Sequence, residues 1–268
     1  MANQFFDIII LGASKEGLSV YKKLKQTECG KTVQLISERF PSSVEDTSNF
    51  ITGKVAFISY NHGMMNITLD SDQGIPRIFC HNLIIATGEC PKKFPKLGPT
   101  VDQIYYNAVD IPEDSKSAAA VVYGDTEYAA KMALTLRKKY KYVYLCTKSF
   151  EPKYSYQVRK RLKEATNVAH LPGCQIAEYE GSKGKLTKVT LDTYETITCK
   201  ALYVDIGRTP DLSAFPNTRY RLFAVNEDSK IITDENCQTL VPKVFAVGAV
   251  STGYNINKEK ALIKLLKN

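Results

Sequence analysis

The apolar positions of this chain fall into short runs, separated by glycines and polar stretches where the period changes from that of a strand to that of a helix. Residues 6–11, FDIIIL, form an almost continuous apolar run of strand length that ends at Gly12. Beyond it Leu18, Tyr21 and Leu24 recur at helical spacing among lysines, so a helix is expected over 15–28, closing near Gly30. TVQLIS (32–37) reads as the second strand, with Glu38 at its end. After a polar segment, KVAFISY (54–60) and MNITLDS (65–71) flank Asn61-His62-Gly63, a hairpin signal. The strand HNLIIATG (81–88) closes the block.

The same order then recurs. A strand over 118–123 meets Gly124, a helix follows, and YVYLCT (142–147) is the next strand. GCQIAEYEG and KLTKVTLDT form hairpin-like strands around Gly181-Ser182-Lys183-Gly184, and KALYVDIG (200–207) closes the second block. Gly12 to Gly88 spans 76 residues and Gly124 to Gly207 spans 83. Agreement in order, spacing and ending points to two related domains of the dinucleotide-binding type. Pro91–Pro99 and Asp110–Ser117 read as the linker between them. The tail, with VPKVFAVGAV and a basic helix at its end, is too short for a third domain and is expected to complete the first. The predicted fold is α/β, with two Rossmann-like (three-layer ββα) dinucleotide-binding domains, the second inserted in the first. The first takes residues 1–111 plus 212–268, the second 112–211.

Composition narrows the class. At 268 residues, 44% hydrophobic and 24% charged, the chain can bury two modest cores. It shows no apolar run of membrane-spanning length and no cationic leader, so a cytoplasmic protein is expected. Seven cysteines (29, 80, 90, 146, 174, 199 and 237) lack any C-x-x-C pair, which speaks against a zinc ribbon or a secreted disulfide framework. His62, His81 and His170 have no metal-ligand spacing, and no metal is expected. Thirty-six basic residues against 28 acidic leave +8, gathered in Lys22-Lys23-Lys25, Lys92-Lys93-Lys96, Arg137-Lys138-Lys139 and Arg159-Lys160-Arg161-Lys163. No nucleic-acid module accompanies that charge, so solvated helix faces are the reading and nucleic acid is not an expected partner. Tyr105-Tyr106 read as ordinary packing residues.

Five motifs in order carry a family resemblance: the two βα turns, Ala86-Thr87-Gly88, Ile206-Gly207-Arg208-Thr209-Pro210-Asp211, and VPKVFAVGAV. Together they resemble the two-domain flavoprotein pyridine nucleotide-disulfide oxidoreductases, most closely the short thioredoxin-reductase-like branch, over nearly the whole chain. The resemblance implies FAD in the first domain and NADPH or NADH in the second. Gly12, Ala13, Ser14 and Gly17 would then meet the FAD pyrophosphate, Glu38 would accept from the adenosine ribose, and Thr87, Gly88, Gly248 and Ala249 would line the same cofactor. Gly124, Thr126 and Ala129 would serve the NAD(P)H pyrophosphate, Lys148 would face a 2′-phosphate, and Gly207 and Arg208 would complete that site. A homodimer is also implied.

The chain departs from that family at ligand-facing positions. Neither the junction VDQIYYNAVDIPED nor RFPSSVEDTSNF carries a cysteine, and thiol–disulfide exchange needs an attacking thiolate with a resolving partner, so disulfide reduction is not expected. Cys90, beside Ala86-Thr87-Gly88, lacks an adjacent base and reads as structural. The middle glycine of each turn is replaced, by Ser14 and by Thr126, both preferred N-caps that satisfy helix N–H groups without a ligand. Asp125 and Glu127 add negative charge where a pyrophosphate would sit. Ala249 stands where the family has Asp, a lost polar contact of about 1–3 kcal/mol. Two readings follow. One is an FAD-linked NAD(P)H oxidoreductase without a redox-active disulfide, passing electrons to an unknown acceptor, for which an acidic electron-transfer protein suits the +8 charge. The other is a catalytically inactive member that senses nucleotides, regulates or acts as a scaffold.

Overall fold

The structure, a computed structural model, describes residues 4–26, 30–41, 44, 46–70, 77–215 and 222–267. The chain divides into two compact units, Met1–Cys90 with Thr209–Asn268 and Pro91–Arg208.

The first unit opens with β1 (Gln4–Leu11), α1 (Lys15–Gln26), β2 (Val33–Ser37), β3 (Ile51–Thr52), β4 (Lys54–Asn61), β5 (Met64–Asp70), β6 (Ile78–Ile85) and β7 (Glu89–Pro91). β3, β2, β1 and β6 run parallel, and the β4–β5 hairpin joins antiparallel through Met65–Ile67 against Ile78–Cys80. The hairpin turns at His62 and Gly63, both at positive φ. Alternation along β1 sorts the core. Ile8 and Ile10 pack with Val20 and Leu24 of α1, while Ile9 and Leu11 pack with Met65 and Ile67 of the hairpin. All eight are at most 3% exposed, and each such burial is worth roughly 1.5–3 kcal/mol. Two apolar faces on one sheet give the three-layer ββα arrangement.

The second unit contains β8 (Ile104–Tyr105), β9 (Ala119–Tyr123), α2 (Glu127–Leu136), β10 (Tyr142–Thr147), α3 (Tyr156–Lys163), β11 (Val168–Pro172), β12 (Ile176–Ser182), β13 (Lys185–Leu191), β14 (Thr196–Thr198) and β15 (Ala201–Val204), and the chain leaves it through β16 (Arg208–Pro210). Its parallel sheet runs β11-β10-β9-β15-β8, and β12-β13-β14 form a separate antiparallel sheet. Ala120 and Val122 of β9 face α2, while Val121 faces the antiparallel layer with Val189 and Leu191. Residues 91–110 lie in this unit because Ile104–Tyr105 pairs with Leu202–Tyr203.

The chain then returns to the first unit. β17 (Val244–Ala246) pairs parallel with Leu83–Ile85, the half of β6 that the hairpin leaves open. α4 (Ile256–Lys267) lays Leu262, Ile263 and Leu266 on the α1 face, and Asn255 caps it by accepting from the N–H of Asn257 and Lys258. No helix among the described residues is long and apolar enough to cross a membrane.

Candidate functional site

Each unit presents a strand–turn–helix cradle at the C-terminal ends of its parallel strands. In the first, β1 runs into Gly12 at φ +106°, where a Cβ would lie 2.5 Å from the Ala86 carbonyl oxygen. At Gly17 a Cβ would lie 2.6 Å from the Gly12 carbonyl oxygen and 2.8 Å from Ala86 Cβ. These two glycines therefore set the tight turn and the close strand–helix approach. Ser14, in the middle position, caps α1: its Oγ accepts from the Gly17 N–H at 3.1 Å, and its carbonyl accepts from Leu18 at 2.9 Å. Ala13 is half-buried between them.

Thr87 and Gly88 lie across from this turn. Gly88, at φ +72°, would place a Cβ 3.3 Å from Ser14 Cβ. The Thr87 hydroxyl is buried and has no hydrogen-bond partner, a cost of about 1–3 kcal/mol unless something donates to it or accepts from it. Gly248, at φ +80°, is covered by the Glu16 side chain, whose carboxylate oxygen would lie 3.0 Å from an added Cβ. Ala249 is exposed on the short turn that follows. Glu38 stands just past β2, half-exposed, 3.9 Å from Arg39 Nε. The residues of the first unit fit a bound dinucleotide in shape. Their backbone approaches closely at two glycines and they hold one buried hydroxyl in need of a partner, while Ser14 and Glu16 reduce the room and the positive potential for a pyrophosphate.

The second cradle is built differently. Gly124, at φ +153°, would place a Cβ 2.1 Å from the Asp205 carbonyl oxygen and 3.3 Å from Ala129 Cβ. Thr126 caps α2 by accepting from the Ala129 N–H at 3.1 Å, and its hydroxyl donates to Asp205 Oδ2. Asp125 Oδ1 accepts from the Ser149 N–H at 3.0 Å, and Glu127 Oε2 accepts from the Ser155 N–H at 2.7 Å. Glu127 also pairs with Lys131 at 2.8 Å, and these bonds to Lys131 and Ser155 hold its carboxyl down at about 2. Two carboxylates thus draw the 148–155 loop to the start of α2, and a third, Asp205, closes the cap. Lys148 is exposed on that loop. Gly207, at φ +99°, has its carbonyl bonded by the Lys92 N–H at 3.0 Å, and Arg208 is exposed beside it. A pyrophosphate at the start of α2 would meet three carboxylates and a satisfied cap, so the residues present there do not fit one.

Asp205, Glu16 and the loop contacts of Asp125 and Glu127 escaped the sequence reading. One signal was available for Asp205: it ends the strand of the VDIG motif, and the repeat places that strand end beside the Gly124 turn. The charge is unevenly divided. Residues 91–208 hold 20 basic and 13 acidic residues, against 16 and 15 in the rest of the chain.

None of the described cysteines forms a disulfide, and Cys29 lies outside the described residues. Cys80 and Cys199 are buried, and burial pushes both thiols up to about 12. Cys146 and Cys174 lie in the second unit's core; the neighbouring thiol and burial raise Cys146, while Cys146 lowers Cys174. Cys174 donates to the Leu171 carbonyl at 3.1 Å. Cys90 is half-buried. Among the described residues no group of three or more His, Cys, Asp or Glu is placed to hold a metal ion.

The family model for pyridine nucleotide-disulphide oxidoreductases matches residues 46–263. The chain belongs to this family. The family is in general one of FAD- and NAD(P)H-dependent oxidoreductases. A ferredoxin–NADP reductase of Listeria monocytogenes is 27% identical over 184 residues, which cover 65% of this chain and 54% of that protein. A probable ferredoxin reductase of Castellaniella defragrans is 32% identical over 93 residues, covering 34% and 21%. The chain thus spans about half of one relative and about a fifth of the other. Among solved structures, the thioredoxin reductase of Lactococcus lactis superposes with a TM-score of 0.77 at 17% identity, over 98% of this chain and 99% of that one. That of T. acidophilum gives 0.74 at 19% identity, over 97% of both. These likenesses show the two-domain Rossmann architecture of the thioredoxin-reductase-like branch.

Proposed function

We propose that the protein is an FAD-linked oxidoreductase without a redox-active disulfide, whose reduced flavin passes electrons to an acceptor other than a disulfide; NAD(P)H, the reductant of its family, would have to reach the flavin without a pyrophosphate seat at the start of α2. The observation that carries this reading is the first cradle, where Gly12 and Gly17 leave no room for side chains and the buried Thr87 hydroxyl lacks a partner. FAD would be held at Gly12, Ala13, Ser14 and Gly17, with Thr87, Gly88, Gly248 and Ala249 beside it and Glu38 at the ribose. When bound, the flavin would supply hydride and single-electron chemistry, and the chain would position it. Reduction of a disulfide acceptor is set aside because Cys146 and Cys174, neighbours in the second unit's core, are 0% and 3% exposed, out of reach of a disulfide substrate. An acidic electron-transfer protein suits the basic excess of residues 91–208.

The second cradle favours a second reading, loss of turnover with the fold retained. In that reading Gly124, Thr126, Ala129, Lys148, Gly207 and Arg208, the residues expected at the nicotinamide nucleotide, serve the fold alone. One experiment separates the two. The protein is incubated with excess FAD, desalted, and its visible spectrum recorded before and after anaerobic NADPH or NADH. Retained flavin that bleaches supports the oxidoreductase. Retained flavin that stays oxidised leaves a flavin protein whose second unit does not serve a reductant. A colourless protein refutes both flavin roles.

A further inference from the structure

The second unit holds a groove of about 780 Å³ at the opposite end of its parallel sheet from Gly124 and Asp205. Ala118 and Ala119, at the start of β9, and Cys199 and Lys200, at the start of β15, form one side of it. The turn between β12 and β13 forms the other, with Ser182, Lys185, Leu186 and Thr187. Five residues of β9 at roughly 3.3 Å each put this groove about 16 Å from the cradle, so the two are separate places in the fold.

The walls are tied together by backbone bonds. The Cys199 N–H donates to the Thr187 carbonyl at 3.1 Å, and the Lys200 N–H donates to the Ala119 carbonyl at 3.0 Å. Gln103 bridges them: its Oε1 accepts from the Leu186 N–H at 2.8 Å, and its carbonyl accepts from the Leu202 N–H at 2.9 Å. The groove is therefore formed without a ligand, at a volume typical of small-molecule sites. Its floor is apolar, from Pro112, Ala118, Ala119 and Leu186, and hydroxyls of Ser182, Thr187 and Thr198 stand around it. Among the described residues it is lined by two lysines and no carboxylate, and Lys185 takes part in no ion pair.

We infer that this groove binds a small amphipathic anion: an aromatic or short aliphatic body on the apolar floor, with a carboxylate, sulfonate or phosphate held by Lys185 and the neighbouring hydroxyls. An apolar floor alone would take any apolar body of the right size; the Lys185 cation, in no ion pair among the described residues, selects charge. This site is independent of the flavin reading.

The test uses the full chain with 8-anilinonaphthalene-1-sulfonate as the probe and its uncharged relative N-phenyl-1-naphthylamine as the control. Saturable fluorescence with the sulfonate is expected, at least tenfold tighter than with the neutral probe. Excess FAD or NADPH should leave it in place. Lys185→Glu should weaken the sulfonate at least tenfold, and Ser182→Trp, which fills the groove from an exposed position, should abolish binding, each with unchanged circular dichroism and melting. No saturable binding, equal affinity for both probes, displacement by FAD, or an unaltered Lys185→Glu protein would overturn the inference.

Discussion

Glu259 offers the sharpest test of how the returning tail is held in the first unit. Its side chain is 6% exposed and sits in the first turn of α4, where Lys23 and Ser19 of α1 and the Tyr254 hydroxyl all donate to it. Burial alone would raise this carboxyl, but the bonds from Lys23, Tyr254 and Ser19 outweigh it and hold the group below its ordinary value. Lys23→Met leaves a buried carboxylate with two hydroxyl donors. A fully buried pair would lose 3–5 kcal/mol on such a truncation. Lys23, however, is 42% exposed, and solvent already screens its side of the pair. The expected loss is therefore about 1.5–3 kcal/mol, one charge-assisted bond. The assay is a double-mutant cycle with Lys23→Met, Glu259→Leu and the double variant, read by urea unfolding at pH 7 and pH 4. A coupling of about 1–2 kcal/mol is expected at pH 7. Because the folded carboxyl is depressed, its contribution is present above the unfolded value near 4.3 and is lost as pH falls through the lower folded value. In Lys23→Met burial dominates and the carboxyl titrates higher, so that variant's deficit should narrow toward pH 4. Zero coupling at pH 7, or a deficit equal at both pH values, would refute the reasoning.

Three further outcomes bear on the cradles. Thr87→Val removes a buried hydroxyl that lacks a partner, so the apo protein should be as stable or about 1 kcal/mol more stable by thermal melting while FAD retention falls severalfold; a drop in apo stability would show the hydroxyl already satisfied. Gly12→Ala forces a Cβ to 2.5 Å from a backbone oxygen at φ +106°, and should cost about 2–4 kcal/mol in unfolding experiments and abolish flavin retention. Asp205→Asn keeps an acceptor for Thr126 while removing one carboxylate from the start of α2, and should leave NADPH without measurable binding in low-salt calorimetry because Asp125, Glu127 and the cap remain; tight binding by this single variant would mean the other two carboxylates do not close the site.

The strands were legible because their chemistry is local. TVQLIS and YVYLCT announce themselves by composition and form Val33–Ser37 and Tyr142–Thr147, and Asn61-His62-Gly63 supplies the positive φ its hairpin needs. The strand of the returning tail, Val244–Ala246, pairs with the half of β6 beyond the hairpin, a partner that its length does not name. What the sequence hid is what depends on distant residues meeting. Asp205 and Thr126 are 79 positions apart, and only the repeat, which sets the end of the VDIG strand beside the Gly124 turn, hints at their meeting. The groove likewise needs residues near 103, 118, 186 and 199 brought together by tertiary structure.

That distance also explains why the second turn should be read as one change rather than several. A side chain at 126 fills the space where a glycine would let a phosphate approach the backbone. Its hydroxyl needs a donor and an acceptor once it is there, and it has both, the Ala129 N–H and Asp205. Asp125 and Glu127 then give the next loop two anchors at Ser149 and Ser155. Each residue satisfies a polar group that a nucleotide would otherwise meet. Reversing Thr126 to Gly alone would therefore strand Asp205 and uncap α2, and would lose stability without restoring a site; only removal of the hydroxyl and the carboxylates together recovers an anion cradle. If the single Thr126→Gly variant instead bound NADPH tightly with undiminished stability, the three carboxylates would have to be independent surface charges, and the closure described here would be wrong.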